Sequence, residues 1–369
     1  MRQAQDRSSG AKVAGRRRVD APAGAVARRF AGRIAAAEEQ LLSPLAARSY
    51  PARRSRPEED CSLRTPFQRD RDRIVHSKAF RRLVHKTQVF IAPAGDHYRT
   101  RMTHTLEVTA ISRTVARALR LNEDLTEAIG VGHDIGHPPF AHIGEEVLDA
   151  CLREHFGEGA HFHHNEHSLR VLEHLERDGV GLNLTEQVRE GIIGHSGRAP
   201  LPATLEGRIV RIIDRVAYIN HDIDDALRAG ILRERDLPDE PIAALGSSGS
   251  ERIDALVHDM VEHSERAGDI VQGERAGRAM AALRSFMFER VYHGPVVSGE
   301  RARIERVLRR LFEHYVEHPE LIGGREGNPP GDRAELAQAV IDYIAGMTDR
   351  FCIATFKELE MPRGFSGGA

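Results

Sequence analysis

Apolar side chains recur at steps of three and four residues along 101–121, and this helical period constrains the fold more than any other feature of the chain. A longer stretch at 205–227 has the same period. Segments of alternating polarity are scarce and clusters of β-branched residues are short, so the signals of strands are weak. The sequence therefore predicts an all-α fold.

Further helices are expected around these two. The basic stretch 64–88 carries apolar residues that favour a helix with one buried side, which the Pro and Gly shortly after it would end. A helix that begins near Asn122 is expected to run to His133 and to stop before a Pro-Pro pair. Helical patterns return after an exposed loop (GSSGS) at 246–250, and they cover 251–318 and 333–359.

Length and charge indicate how the chain is divided. At 369 residues it exceeds the size at which one hydrophobic core is comfortable. Residues 1–57 hold thirteen Lys or Arg and four Asp or Glu, a balance of +9 that leaves −11 for the remainder. We expect a basic, flexible N-terminal arm at 1–57, a catalytic core at 58–235 and a C-terminal helical region at 236–369.

Cysteine usage and hydropathy exclude several classes of protein. Three distant cysteines offer neither a disulfide framework nor a thiolate metal site. No apolar run approaches the ~20 residues that cross a bilayer, and the first residues do not resemble a secretory signal. The usual phosphate-binding, dinucleotide-binding and H-E-x-x-H motifs are missing. We expect a cytoplasmic protein that does not contact membranes.

Histidine and aspartate side chains fall where an isolated polar group is costly. His104 and Asp214 each lie on the apolar face of a helical pattern, and His133 and Asp134 stand together where a helix ends. A single inward-facing histidine is usually a hydrogen-bonded core residue, but one divalent cation would satisfy all four of these side chains. Imidazole and carboxylate ligands suit Mn, Fe, Co, Ni or Zn, and we leave the identity open among these and Mg.

Five segments around these residues resemble the bacterial deoxyguanosine-triphosphate triphosphohydrolase family of HD-domain metal-dependent phosphohydrolases. The segments are RTPFQRDRDRIVHSKAFRRLVHKTQVF at 64–90, RTRMTHTLEV at 99–108, GHDIGHPPFAHIGE at 132–145, FHHNEHSLRV at 162–171 and IVRIIDRVAYINHDIDD at 209–225. The resemblance is strong over residues 60–230 and looser in the C-terminal helices. It implies an HD-domain helical core whose four metal ligands, in the order H…HD…D, are His104, His133, Asp134 and Asp214.

The resemblance also implies a reaction. The family hydrolyses a deoxynucleoside triphosphate, here dGTP-like, to the deoxynucleoside and inorganic triphosphate, when metal-activated water attacks the α-phosphorus. His142 and Glu145 lie three residues apart on one helix face, where a carboxylate can orient an imidazole. His142 is the implied acid, Glu145 its partner and His164 a further catalytic residue. Among the histidines at 155–167 we expect no second metal site, and we expect His155 and His161 to be loop residues.

Six substrate contacts follow from the same resemblance. Tyr218 and Asp222 would reach the sugar, where a tyrosine under the ring disfavours a 2′ hydroxyl, and Gln88 would reach the 3′ hydroxyl. The implied phosphate contacts are Arg101, His137 and Arg215. The alternative interpretation of the two arginines is that they lie on solvated faces.

Two other functions stay open from the sequence. The chain could hydrolyse another nucleotide phosphate ester as an HD phosphohydrolase. It could also be a nucleotide-sensing or nucleic-acid-binding regulator, with single-stranded nucleic acid bound by the basic arm. The resemblance further implies a homo-oligomer and room for a nucleotide activator between subunits.

Overall fold

The computed structural model describes residues 23–88, 98–323 and 330–362. Within these ranges the chain is helical, with two isolated backbone bridges and no strand, which confirms the predicted all-α fold. No helix in the described ranges is long and apolar enough to span a bilayer. The α-helices are α1 Ala23–Leu41, α2 Pro66–Val75, α3 Lys78–Arg82, α4 Arg101–Ala118, α5 Glu123–Gly132, α6 Ala141–Phe156, α7 His164–Arg170, α8 Glu186–Gly194, α9 Leu205–Arg228, α10 Asp239–Leu245, α11 Gly249–Ala267, α12 Glu274–Met287, α13 Pro295–Glu317, α14 Arg333–Ala345 and α15 Asp349–Glu360.

Side-chain caps start the helices that carry the candidate site. Thr100, Asn122 and Thr204 each accept a bond from the backbone N–H three residues later, at the start of α4, α5 and α9. Ser248 caps α11 in a capping box with Glu251, so this helix begins inside the stretch that the sequence predicted as a loop. Each cap fixes the first turn of its helix and therefore the direction of the side chains that follow.

The central core forms where α4, α5 and α9 pack against one another, with α2 and α8 at their sides. Burial of apolar surface, worth about 25 cal/mol per Å², stabilises this arrangement. Its fully buried members include Phe67, Ile74, Val108, Val115, Leu125, Ile129, Ile192 and Ile213. These helices carry the predicted metal ligands.

Two more apolar clusters join the C-terminal helices to this core. Leu148 of α6 packs with Phe312 and Ile344 of α13 and α14. Ile223, in the second half of α9, packs with Leu283 of α12. The boundary expected at residue 235 falls in the short connection between α9 and α10.

Asp349 and Lys86 tie the C-terminal helices to the turn between α5 and α6. Asp349 accepts the backbone N–H of Phe140 at 3.2 Å and that of Thr87 at 3.0 Å. The Lys86 ammonium donates to the carbonyl of His137 at 2.5 Å and to the last carbonyl of α14 at 2.8 Å. Burial lowers the pKa of Lys86 to about 7. The turn is therefore held from a distant part of the chain.

The same turn contains strained backbone. Phe140 has φ +63° and Ala141 has φ +55°, both in the left-handed region that costs a non-glycine residue roughly 1–2 kcal/mol. These two residues redirect the chain so that His142 falls in the first turn of α6. The bond from Asp349 holds the first strained residue in place.

The basic stretch 64–88 differs from its prediction as one helix. It contains α2 and α3, which are separated at His76 and Ser77. The Ser77 hydroxyl accepts the backbone N–H of Phe80 and starts a new helix there. Serine side chains compete in this way with the continuation of a helix.

The predicted flexible arm at 1–57 is described in the structure from residue 23 onward, and its flexibility stays a prediction. Residues 23–41 form α1, and Ser49 is buried where its hydroxyl donates to Glu38. The guanidinium of Arg54 forms a buried ion pair with Asp70 at 2.5 Å. Arg54, a basic residue of the predicted arm, thus has an acidic partner, Asp70, on α2. Residues 1–22 lie outside the described part.

Candidate active site

Four side chains from α4, α9 and the end of α5 converge between the core helices. His104 Nε2 is 3.1 Å from Asp214 Oδ1 and 3.7 Å from Asp134 Oδ2. His133 Nε2 is 3.5 Å from Asp134 Oδ2 and 3.7 Å from Asp214 Oδ1. We call His104, His133, Asp134 and Asp214 the metal cluster, because the structure brings the four predicted ligands to one point.

The metal cluster fits a divalent cation. His133 Nδ1 lies 2.7 Å from the carbonyl of Gly130, so in the neutral ring this nitrogen carries the proton and Nε2 has the lone pair that a cation would bind. That Nε2 is buried, and no hydrogen-bond partner for it exists among the described residues. A buried lone pair without a donor is costly unless a cation satisfies it. Two imidazoles and two carboxylates are suitable ligands for a transition metal.

Opposite charges hold the carboxylates of the cluster in their ionised form. Burial opposes ionisation, but His133 and Arg101 keep the pKa of Asp134 well below its usual range. The imidazoles of His104 and His133 outweigh burial at Asp214 in the same way. For His133, burial is outweighed by the two carboxylates, which raise its pKa to about 9. Positive charge is therefore strongly favoured at this point.

Arg101 lies beside the metal cluster and is only 1% exposed. Its Nη1 donates to Asp134 Oδ2 at 2.6 Å. Its Nε and Nη2 are buried, with no acceptor in the part of the chain that the structure describes. Buried guanidinium N–H groups without partners favour an anion with several oxygens. The sequence predicted a phosphate contact here but did not indicate the bond to Asp134.

A second group of side chains surrounds Glu145 of α6. The Glu145 carboxylate lies 2.9 Å from His164 Nδ1 and accepts the His164 backbone N–H at 3.1 Å. His142 Nδ1 is farther from it, at 3.4 Å. The buried carboxylate is thus shared between two imidazoles, whereas the sequence predicted a partner for His142 alone. Despite burial, His164 and His142 hold the pKa of Glu145 far below its usual range.

His142 is the accessible member of this group, with 66% of its side chain exposed. Desolvation opposes its charged form, but the hydrogen bond and the charge of Glu145 raise the pKa of His142. An exposed imidazole with a raised pKa can present a proton to a ligand in the site.

His137 connects the metal cluster with the Glu145 group. Its Nε2 is 3.3 Å from Asp134 Oδ1, and its ring stacks on that of His164 with centroids 3.9 Å apart. Burial and the charge of Arg101 hold the pKa of His137 well below its usual value, so the ring is neutral. The predicted metal ligands and the predicted acid therefore belong to one continuous site.

His195 belongs to this site and was missed by sequence reasoning. It follows the last residue of α8, and its Nε2 lies 3.2 Å from His164 Nε2 and 3.9 Å from Asp134 Oδ1. A signal does exist, since Gly194-His195 ends a helix as Gly132-His133 does. Taken alone, however, the pair His195 and Gly194 is too short to distinguish a ligand from a core histidine.

Tyr218 and Asp222 of α9 meet two side chains from the C-terminal helices. The hydroxyl of Tyr292 donates to Asp222 Oδ2 at 2.5 Å. Arg284 Nε donates to the hydroxyl of Tyr218 at 3.3 Å. Burial raises the pKa of Asp222 to about 7, against the effect of the Tyr292 bond. The sequence predicted the two residues of α9 and missed their partners.

Gln88 and Arg215 differ in their surroundings. Gln88 is buried, and its Oε1 has no partner within the described residues. Arg215 is exposed on α9, as in the alternative interpretation of a solvated face. Of the two histidines expected in a loop, His161 lies outside the helices, is exposed and is 2.9 Å from the carboxylate of Glu166. His155 lies in the last turn of α6, so the loop prediction is wrong for this residue.

The helical core and its histidine and aspartate ligands define an HD-domain protein. Residues 101–219 match the HD domain, and residues 270–358 match the phosphohydrolase-associated domain. The chain is therefore a hydrolase of the metal-dependent HD phosphohydrolase class. Its relatives place it more closely: it belongs to the family of deoxyguanosinetriphosphate triphosphohydrolase-like proteins.

Two relatives carry this assignment. The protein of that name from Caldanaerobacter subterraneus subsp. tengcongensis is 50% identical over 332 residues, which cover 88% of this chain and 94% of the relative. The one from Clostridium perfringens strain 13 is 47% identical over 320 residues, covering 84% and 91%. A crystal structure of a hypothetical protein from Aquifex aeolicus is similar at 23% identity with a TM-score of 0.44, over 80% of this chain and 69% of that one.

Proposed function

We propose that this protein hydrolyses a deoxynucleoside triphosphate, dGTP-like, to the deoxynucleoside and inorganic triphosphate. The observation that carries the proposal is Arg101, a buried guanidinium with two unpartnered nitrogens beside a cluster that fits a metal. Such an arrangement suits a polyanion that also contacts a cation. The printed name of the relatives supports the choice of substrate class.

The side chains divide the reaction between them. A divalent cation in the metal cluster, when bound, supplies Lewis acidity toward a phosphate oxygen and lowers the pKa of water. Arg101 binds phosphate oxygens through Nε and Nη2 and stabilises the charge that develops on them. Glu145 holds the proton on His142 Nδ1, so the protonated ring presents Nε2–H outward. His142 gives that proton to the 5′ oxygen as the bond from the α-phosphorus to this oxygen breaks.

Asp222 and Tyr218 support a sugar subsite. The Tyr292 hydroxyl donates to Oδ2 of Asp222. The other carboxylate oxygen, Oδ1, is buried and has no donor within the described ranges. Oδ1 is free to accept a bond from a sugar hydroxyl. Gln88, whose Oε1 is also without a partner among the described residues, is proposed for the 3′ hydroxyl. Arg215 is proposed for phosphate only if its exposed side chain turns inward when substrate binds.

Product analysis tests this proposal. The protein is reconstituted with Mn²⁺ or Mg²⁺ and incubated with each dNTP, singly and in pairs, and the products are separated by ion-pair chromatography. Equal amounts of deoxynucleoside and triphosphate are expected. Release of pyrophosphate or monophosphate in place of triphosphate would overturn the proposed reaction, in which water attacks the α-phosphorus. Absence of any product under every pairing would favour another phosphate ester or a regulatory role.

A further inference from the structure

One buried hydroxyl connects α7 with the turn that begins at His133. Gly132 is the last residue of α5, so the backbone groups just after it need partners outside the helix. Ser168 of α7 supplies two of them: its Oγ donates to the carbonyl of His133 at 2.7 Å and accepts the N–H of Gly136 at 2.8 Å. This side chain is fully buried, with 0% exposure. The hydroxyl therefore donates and accepts within the same turn.

The backbones of α7 and of this turn lie in direct contact. His167 Nδ1 donates to the carbonyl of Gly136 at 3.0 Å, which adds a further bond between the two segments. A Cβ atom on Gly136 would lie 2.1 Å from the backbone nitrogen of Ser168 and 2.4 Å from the carbonyl oxygen of His164. Only glycine fits at such a close approach. The position of α7 is therefore fixed relative to the turn.

The contact of α7 with the turn also places His164. His164 and Ser168 are four residues apart in α7 and so lie on one face of the helix. The His164 ring stacks on that of His137 with centroids 3.9 Å apart, and its Nδ1 lies 2.9 Å from the Glu145 carboxylate. The Ser168 hydroxyl thus links the backbone of His133, a residue of the metal cluster, to the imidazole that shares Glu145 with the proposed acid.

We propose that Ser168 is a positioning residue for the hydrolysis. Its hydroxyl fixes the separation between the metal cluster and the Glu145–His164 pair, and through Glu145 it aligns His142 with the phosphate ester. Ser168 itself does not contact the substrate. Because groups that act together must be held in one geometry, small displacements between them are costly in rate. The effect on turnover rests on the proposed function, whereas the placement of His164 can be measured without substrate.

A purely structural role is the competing explanation. Buried hydroxyls commonly satisfy backbone groups that would otherwise lack partners, and such bonds stabilise the folded chain. A loss of stability alone would reduce the fraction of folded protein and leave the kcat of the folded fraction unchanged. Positioning instead requires that kcat falls in protein that is fully folded.

Steady-state kinetics of Ser168→Ala separate the two explanations. The substitution removes the partner of the His133 carbonyl and of the Gly136 N–H, so α7 and the turn can move apart. In fully folded protein at saturating Mn²⁺, kcat for a dNTP is expected to fall by about 10–100-fold, with KM within about threefold of the wild-type value. An unchanged kcat would overturn the proposal.

Ser112→Ala is the matched control. Ser112 of α4 is also 0% exposed, but its hydroxyl has no hydrogen-bond partner within the described ranges. Its kcat is expected to equal that of the wild-type chain. Equal losses of kcat in the two variants would mean that any missing buried hydroxyl lowers turnover, and the role assigned to Ser168 would be refuted.

Proton NMR in the presence of Mg²⁺ measures the placement of His164 without turnover. The Nδ1–H of His164, bonded to the Glu145 carboxylate, is expected to give a low-field imidazole resonance, which His164→Gln assigns by its loss. Ser168→Ala is expected to shift this resonance, and Ser112→Ala to leave it in place. An unmoved resonance in Ser168→Ala would refute the proposal even if the wild-type chain hydrolyses no dNTP, so the two failures can be told apart.

Ser168→Cys replaces the alanine variant if the latter does not fold. A thiol is close in size to a hydroxyl and is a weaker donor and acceptor. The same resonance is expected to shift, with a smaller loss of kcat than in the alanine variant. An unmoved resonance would again exclude Ser168 as a positioning residue.

Discussion

Asp214 and His142 are proposed to have separate roles in the candidate site. Asp214 lies within the metal cluster, whereas His142 is exposed and bonded to Glu145. We expect Asp214→Ala to lose bound metal and turnover together. His142→Ala is expected to retain the metal and to lose turnover by about 10²–10⁴-fold, the usual contribution of a general acid. Metal analysis and initial rates check this, and equal metal loss in both variants would contradict it.

The pH profile should respond to Glu145. Its carboxylate raises the pKa of His142 against desolvation, so His142 stays protonated to higher pH than an isolated imidazole. In Glu145→Gln this pKa falls, and the alkaline limb of kcat against pH is expected to move to lower pH. Glu146→Gln is the control, since Glu146 is paired with Arg301 on the surface. An unmoved limb in Glu145→Gln would exclude His142 as the acid.

Asp222 should make the stability of the protein depend on pH. Its pKa is raised to about 7 in the folded chain, so the folded state holds a proton that the unfolded state releases near pH 4. The contribution of Asp222 to the free energy of unfolding is fully present below pH 4 and is lost as pH rises through 7. Between pH 4 and pH 7 the free energy of unfolding falls by roughly 1.4 kcal/mol per pH unit. Asp222→Asn removes this dependence. Denaturant unfolding of both proteins from pH 4.5 to 7.5 measures the difference, and parallel curves would contradict it.

The four residues of the metal cluster could be chosen as candidate ligands from the sequence, because each stands where burial of an isolated polar group is costly. His104 and Asp214 fall on apolar faces, and the motif around His133 is distinctive. His195 has no such motif, and its position depends on the packing of α7 against α8. The alternative that the sequence left for Arg215, a solvated face, agrees with its exposure.

Among the helices, the start of α6 depends on a distant partner. Asp349 accepts two backbone N–H groups, from Phe140 and Thr87, and thereby holds the strained turn before His142. We expect Asp349→Ala to lower the free energy of unfolding by about 1–3 kcal/mol, because two donors lose their acceptor. Turnover is expected to fall by up to about 100-fold, since small displacements of catalytic groups are costly.

Asp332→Ala provides a matched control for this substitution. Asp332 also accepts a backbone N–H, at the start of α14, but it lies on the surface and away from the turn. The Asp332→Ala variant is expected to have a lower free energy of unfolding, because a backbone N–H loses its acceptor, and an unchanged turnover. If the two variants lose turnover equally, Asp349 does not position His142.

Helix positions could be predicted from local signals, and helix ends less well. The periodic stretches became α4 and α9 nearly as expected, because one buried face dictates them. The break at Ser77 and the cap at Ser248 depend on single hydroxyl groups. In a run of polar residues the sequence does not indicate which hydroxyl group will cap a helix. The ordered residues between Ser49 and Arg54 depend on acidic partners from other helices.

For the chain as a whole, residues from the C-terminal helices contact the proposed sugar subsite. Tyr292, from beyond α12, donates to Asp222, and this contact joins residues 70 positions apart. We expect Tyr292→Phe to raise KM for a dNTP by about 5–20-fold, the effect of losing one hydrogen bond to a buried carboxyl group, with a smaller change in kcat. Steady-state kinetics check this, and an unchanged KM with a reduced kcat would argue against a sugar subsite here.

No local pattern connects Tyr292 with Asp222 or Asp349 with Phe140, which is why the sequence indicated none of these contacts. The homo-oligomer, the nucleotide activator and the binding of single-stranded nucleic acid stay predictions. Gel filtration with and without dNTPs would measure the first two together.

The bond between Asp349 and Phe140 has a consequence for how the protein is made. These residues are 209 positions apart, so the turn before His142 lacks this support until residue 349 has been synthesised. Domains fold in order as they leave the ribosome, at about 5–20 residues per second. The helices of the metal cluster are synthesised before Asp349, the first residue of α15. If Asp349 positions His142 as proposed, a nascent or truncated chain that lacks α15 is expected to hydrolyse no phosphate ester.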